Sequence, residues 1–238
     1  MVMKRALVTG ATGDIGAAIA RYLIERDIQV IGTYHIESKT VDSYTDKNFF
    51  LVHLDLTQES SISKCIQDIH ETYGGIDFLV NCAGIKMDGA LDTLSRDNVR
   101  EVIQVNLLNT ILLTRECLPM IKENKGRVVN IASLSGEIGN NQQTNYSASK
   151  AGLIGFTKAL ARDMAKYDVS VNAISPGLIK SRMVSSIPIH LQERMVNMIP
   201  QKRFGTPRSI AELVYFFLTN EENYITGQSI KIDGGLSM

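Results

Sequence analysis

The sequence predicts an α/β fold, a doubly wound parallel sheet of about seven strands with helices on both faces. Three observations predict it. Short apolar runs alternate with longer segments of helical periodicity along the whole chain. The first run stops at a glycine-rich turn that opens a helix. Later runs also end in small or polar residues, at Asn81 to Gly84, at Ser133 and at Pro176-Gly177. In a parallel sheet these ends gather on one edge, where doubly wound sheets bind ligands.

In order, KRALVT at 4–9 reads as a buried strand ending at Gly10. Ile15, Ile19 and Leu23 then recur at helical spacing, and QVIGTY at 29–34 is a second strand. This β-α-β context is what a phosphate-binding glycine loop requires. Gly10, Gly13 and Gly16 would supply a tight turn, close approach to a pyrophosphate and close helix packing. Asp14 stands at the helix start, where it suits the dipole and can cap free amides. It would repel a pyrophosphate if turned inward, so it is expected to point outward.

Residues 35–48 are polar and irregular. FFLVHLD is a third strand ending at Asp55, and Thr57 to Tyr73 a helix stopped by Gly74-Gly75. IDFLVNCAG is a fourth strand. Helical periodicity covers Ser95–Val105 and Leu107–Glu123 around Asn106. A polar residue in so apolar a helix is either satisfied by backbone or marks a kink or a water site. GRVVNIAS is the fifth strand, and a long helix carries Tyr146 and Lys150. VSVNAISPG is the sixth strand, Pro207–Thr219 a helix with Pro in its first turn, and ITGQSIKIDGG the seventh strand. Residues 178–204 lack a β pattern and include the helical stretch LQERMVNMI.

Composition narrows the function classes. Apolar residues make up 44% and charged residues 21%, ordinary for a soluble globular chain. The length suits one large domain or two small ones, and the unbroken alternation favours a single domain over 1–238. With 25 basic and 25 acidic residues there is no nucleic-acid footprint. No run approaches the ~20 apolar residues of a membrane span, and MVMKRALVTG lacks the core of a signal peptide. Cys65, Cys82 and Cys117 have no metal-ligand spacing. They read as reduced thiols of a cytoplasmic protein, and no metal is expected.

The chemistry lies in Ser133 to Lys150. Tyr146 and Lys150 stand at i and i+4 and share a helix face. An ammonium beside a phenol favours the phenolate and is expected to lower the Tyr146 pKa. Ser133 could hold a carbonyl oxygen against that phenol. Such a set moves a proton on or off an oxygen while something else moves a hydride.

TGATGDIG at 9–16, Asp55, NCAG at 81–84, Asn106, Ser133, the Tyr146-x-x-x-Lys150 pair and SPG at 175–177 occur together and in order. In this the chain resembles the short-chain dehydrogenase/reductase family over essentially its whole length. Within it, NYSASKAGLIGFTKALARD and YITGQSIKIDGG are similar to bacterial 3-oxoacyl-acyl-carrier-protein reductases. The resemblance implies a Rossmann-type fold, a homotetramer and reduction of a 3-oxoacyl thioester. Tyr146 would be the general acid, Lys150 would tune it and hold the nicotinamide ribose, Ser133 would orient the carbonyl, and Asn106 would support a water relay. The cofactor would be lined by Gly10, Thr12, Gly13, Asp14, Ile15, Gly16, Thr33, His35, Asp55, Leu56, Asn81, Ala83, Gly84, Tyr146, Lys150, Pro176, Gly177 and Ile179. Asp55 would meet the adenine, and residues 178–204 would form a substrate lid. One departure is in the glycine loop. The family pattern Thr-Gly-x-x-x-Gly-x-Gly has glycine where Asp14 stands, and Gly13 comes one position early.

No acid follows the second strand directly where one would select NAD(H), so NADP(H) is expected, with Thr33, His35 or Lys39 near the 2′ position and Glu37 further along. An acidic acyl carrier protein would need a local basic patch, for which Arg127 and Lys166 are candidates, with Lys122 and Lys125 nearby. Two other functions fit the same residues. One is an NAD(P)-dependent alcohol, sugar or steroid-type dehydrogenase. The other is a non-catalytic partner with the same fold, against which the intact Ser, Tyr, Lys and Asn set argues.

Overall fold

The computed structural model describes residues 3–35, 46–185 and 187–238. Glu37 and Lys39 lie outside them. Seven strands form one sheet: β1 (Arg5–Val8), β2 (Gln29–Tyr34), β3 (Phe49–His53), β4 (Phe78–Asn81), β5 (Arg127–Ile131), β6 (Ser170–Pro176) and β7 (Ser229–Ile232). Their order is β3-β2-β1-β4-β5-β6-β7, and each pairing is parallel. The order reverses between β1 and β4, which opens a crevice beyond their carboxyl ends.

Alternation along the strands builds a core on each face. Leu7, Ile31, Leu79, Val128 and Val171 face one side. There they meet α2 (Glu59–Tyr73), α4 (Asn109–Glu123) and α6 (Thr144–Met164) through Ile62, Ile69, Leu113, Ile121 and Leu160. Ala6, Val8, Val30, Val80, Val129 and Ile174 face the other side. They meet α1 (Asp14–Ile24) and α9 (Pro207–Thr219) through Ile19, Leu23, Ile210, Val214 and Phe217. This is the predicted doubly wound Rossmann-type architecture in a single domain.

The helix around Asn106 is broken. α3 (Arg96–Ile103), capped by the Ser95 hydroxyl, runs into a π-turn at Gln104–Leu108, and α4 follows. Two short helices were not foreseen. α5 (Leu134–Ile138) starts directly after Ser133, and α7 (Arg182–Ser185) lies in the 178–204 segment. That segment also holds α8 (Ile189–Met198), in which no residue is buried; Ile189 is 74% exposed and Met198 61%. No described helix is long and apolar enough to cross a membrane.

Candidate active site

The loops at the carboxyl ends of β1, β4, β5 and β6 line one cleft of about 640 Å³. That is the size of a small-ligand site. Ser133, Tyr146 and Lys150 share this cleft with Gly10, Thr12, Gly13, Asp14, Ile15, Gly16, Thr33, His35, Asp55, Leu56, Ala83, Gly84, Pro176, Gly177 and Ile179.

The glycine loop is tightly folded. Gly10 has φ +66°, and a Cβ on Gly16 would stand 2.2 Å from the Gly10 carbonyl oxygen. Gly13 precedes α1, and no side chain caps the helix, so its first amides stay open for an anion. The Thr9 hydroxyl accepts hydrogen bonds from the Cys82 and Ala83 amides at 2.9 and 3.0 Å, which pins β1 to the turn after β4.

Ser133 stands two residues beyond the end of β5 and caps α5, its hydroxyl accepting from the Ser135 amide at 3.1 Å. α5 lies hard against α6 because Gly136 has no side chain. A Cβ there would come within 2.7 Å of the Lys150 carbonyl carbon. This contact brings Ser133 to Tyr146. The buried Lys150 donates from Nζ to the Ile131 carbonyl oxygen at 2.9 Å. Burial drops its pKa from 10.5 to about 8, with Cys82 working the other way. Nζ lies 5.8 Å from the centre of the Tyr146 ring.

The expected lowering of the Tyr146 pKa is not found in this arrangement. Burial raises it, an interaction with the Ser133 hydroxyl draws it partly back, and Asp88 and Cys82 add to the rise. The Lys150 ammonium is turned to the backbone, and desolvation of the phenol dominates.

Asn106 sits in the π-turn beside the cleft. Its Oδ1 accepts from the Ile85 amide at 2.8 Å, and its Nδ2 donates to the Ile85 carbonyl at 2.7 Å and to the Ser149 hydroxyl at 3.2 Å. Both sequence alternatives hold, since backbone satisfies the side chain and the helix is distorted there. Asn81 lies outside the cleft. Its Nδ2 donates to Thr114 Oγ1 and Asn130 Oδ1 in the core, and Asn130 Nδ2 continues to Thr157 Oγ1. The strand alternation turns it away from the residues that follow it.

Thr33 lines the cleft but is buried, and its Oγ1 accepts from the Gly10 amide at 3.1 Å. His35 Nε2 stands 3.5 Å from Asp55 Oδ1, and that oxygen also accepts from the Thr57 amide and hydroxyl. Burial raises the Asp55 pKa, but the Thr57 bonds and the two histidines His35 and His53 bring it below the usual carboxylate range.

Asp14 does not point outward. Its carboxylate accepts from Arg182 Nε at 2.7 Å and from the Arg182 amide at 2.8 Å. Arg182, Ser181, Lys86 and Glu101 line the cleft and carried no sequence signal, since nothing local marks them. Arg127 and Lys166 lie elsewhere. Arg127 starts β5 at the opposite sheet edge, with Nη1 donating to the Lys125, Gly126 and Asp168 carbonyls. Burial lowers its pKa and Asp168 opposes that. Lys166 follows the far end of α6, about 30 Å along the helix from Tyr146.

The residues present fit a dinucleotide. The uncapped start of α1 suits a pyrophosphate. At Gly84, a Cβ would lie 3.1 Å from Asn106 Oδ1 and 3.4 Å from Lys150 Nζ, so a side chain there would crowd that wall of the cleft. Fold and cleft together define an oxidoreductase that uses a nicotinamide cofactor. The chain belongs to the short-chain dehydrogenase/reductase family. A family model described as enoyl-(acyl carrier protein) reductase matches residues 10–237. The chain is 40% identical over 238 residues to the 3-oxoacyl-acyl-carrier-protein reductase FabG of Buchnera aphidicola subsp. Schizaphis graminum, covering 99% of this chain and 98% of that one. It is 39% identical over 238 residues to the protein of that name from Vibrio harveyi, with the same coverage. To the one from Aquifex aeolicus it is 40% identical over 240 residues, 98% of this chain and 97% of that one.

Proposed function

We propose that the protein reduces the 3-oxo group of an acyl thioester to a 3-hydroxyl, with NADPH as reductant. The observation that carries this is the placement of the Ser133 and Tyr146 hydroxyls on one wall of the cleft with Lys150 buried behind them. Two hydroxyls at one point suit a carbonyl oxygen that becomes an alcohol. The full-length relatives named for 3-oxoacyl reduction support the substrate class.

When bound, the dinucleotide supplies the hydride. Ser133 donates to the substrate oxygen and fixes the carbonyl plane. Tyr146 gives its proton to that oxygen as charge develops there. Lys150, held on the Ile131 carbonyl, keeps a positive charge behind that wall of the cleft. Asn106 holds the Ile85 backbone, and with it the loop that contains Gly84.

NADPH is favoured because no acid follows β2 directly and His35 stands at its end. The nearby Asp55 is already engaged by Thr57 and His35. Residues 178–204 are read as the substrate lid, since Leu178, Ile179, Ser181, Arg182 and Val184 line the cleft while α8 stays outside both cores. A homotetramer would cover exposed apolar residues such as Leu108, Phe216 and Ile230. Three free thiols suit the cytoplasm. Delivery by an acyl carrier protein follows the relatives' names. If Arg127 docks it, Arg127→Glu raises KM for a carrier-bound substrate and spares the free thioester; equal loss on both assigns Arg127 to the fold.

The test is a substrate panel with each cofactor. Acetoacetyl thioester should be reduced with NADPH at a kcat/KM at least tenfold above that with NADH. Crotonyl thioester tests the carbon–carbon double bond named by the family model, and polyols test the dehydrogenase alternative. Turnover of crotonyl thioester or polyols without acetoacetyl thioester would overturn the proposal.

A further inference from the structure

We infer that Arg182 is a positioning residue that neutralises Asp14, so that the first turn of α1 can receive the pyrophosphate of a dinucleotide. The inference rests on the dinucleotide reading of the cleft.

Asp14 is the first residue of α1. It therefore belongs to the turn whose open amides would hold the phosphates, with its side chain only 27% exposed. It does not cap the helix. Left alone, it would set a negative charge against an anion at the site where the helix favours one.

Here the charge is answered from the other side of the cleft. Arg182 opens α7, 168 positions away in sequence. Its Nε donates to Asp14 Oδ1 at 2.7 Å and its own amide donates to Oδ2 at 2.8 Å, so both carboxylate oxygens are bound. Nη2 donates to the Thr12 carbonyl at 3.3 Å, inside the glycine loop. The guanidinium thus sits over the turn between Gly10 and Gly16, and Arg182 and Asp14 both line the cleft.

An exposed ion pair contributes little to folding stability. At this place it offsets the negative charge that an incoming pyrophosphate would otherwise meet. It also ties the segment after β6 to the loop after β1, so the pair joins the two walls between which the dinucleotide would lie. Arg182 acts through Asp14, and that makes its effect separable from direct binding.

The test is a double-mutant cycle read by equilibrium binding of NADPH to the full-length protein, by calorimetry, at low and high salt. Arg182→Gln should weaken binding by about tenfold, because a bare carboxylate then faces the phosphates. Asp14→Asn should bind as tightly as the wild type or more tightly. Combining the two should restore affinity to within about threefold of Asp14→Asn alone, which is strong non-additivity. The penalty in Arg182→Gln should shrink at high salt, where the repulsion is screened. A purely structural role for Arg182 would give neither the rescue nor the salt dependence. Unchanged binding in Arg182→Gln, or a double variant as weak as Arg182→Gln, would overturn the inference while leaving the cofactor assignment intact. Failure of the wild type to bind either NADPH or NADH would instead overturn the dinucleotide reading, and this inference with it.

Discussion

The Lys150 ammonium is bound to the carbonyl oxygen of Ile131, the last residue of β5, across 2.9 Å. This bond holds a buried charge behind the Tyr146 ring. Since burial brings Lys150 down to about 8, the charge is held close to its own point of loss.

That sets the alkaline limb of the reaction. The free-enzyme profile, kcat/KM against pH for acetoacetyl thioester, should fall with an apparent pKa near 8 as Lys150 deprotonates. Tyr146, raised by burial, should keep its proton across that range. Lys150→Arg should move the limb upward or remove it. A limb that stays near 8 in that variant would assign it to another group.

The same shift acts on stability, with a definite sign. Below about 8 Lys150 is charged in both folded and unfolded chains, and the penalty of burying the ammonium is fully present. Between about 8 and 10.5 the unfolded chain binds a proton that the folded chain does not, so unfolding free energy from this group rises with pH. Urea midpoints should show the wild type gaining on Lys150→Met from pH 8 to pH 10. A constant difference would contradict the depressed value.

Tyr146→Phe removes the hydroxyl and keeps the ring. Turnover should drop by roughly 10²–10⁴-fold, the usual loss for an acid–base group. NADPH affinity should stay within about threefold, because Lys150 and the glycine loop are untouched. Single-turnover kinetics and binding calorimetry check the two halves separately.

Gly136→Ala would drive a methyl group into the Lys150 and Ala151 backbone, where a Cβ would stand 2.7 and 2.8 Å from its neighbours. The expected cost is about 1–3 kcal/mol of stability, as for other overpacked contacts. Turnover should fall further than stability alone explains, because α5 carries Ser133 at its start. Thermal melts and kcat on one preparation would show it; normal kcat with a lowered Tm would free Ser133 from that dependence.

Much of this was legible in the chain. β2 and α9 fall where the apolar run at 29–34 and the Pro207 start place them, since each is fixed by local pattern. The helix stop at Gly74 is likewise local, and that residue takes the left-handed conformation. α5 was invisible because five residues are too few for a period to repeat, and it contains a glycine. The π-turn at Gln104–Leu108 left one trace, the polar Asn106 in an apolar helix. The outward expectation for Asp14 fails because its partner, Arg182, is 168 positions away and is brought to it only by the folded sheet. Asn81 was assigned to the cleft from a motif, whereas its neighbours Thr114 and Asn130 come from other elements. The Tyr146 shift went the other way because spacing reports a nearby lysine but not where its ammonium is directed.

α8 takes no part in either hydrophobic core: Ile189, Leu191 and Met198 are exposed, and Met195 and Val196 are half-buried. The exposed positions of α8 are therefore little constrained by the packing of the two cores. Drift can reach this stretch while the residues that line the cleft stay fixed. For the engineer it is the natural graft point, where a donor sequence from another reductase can be exchanged as a cassette.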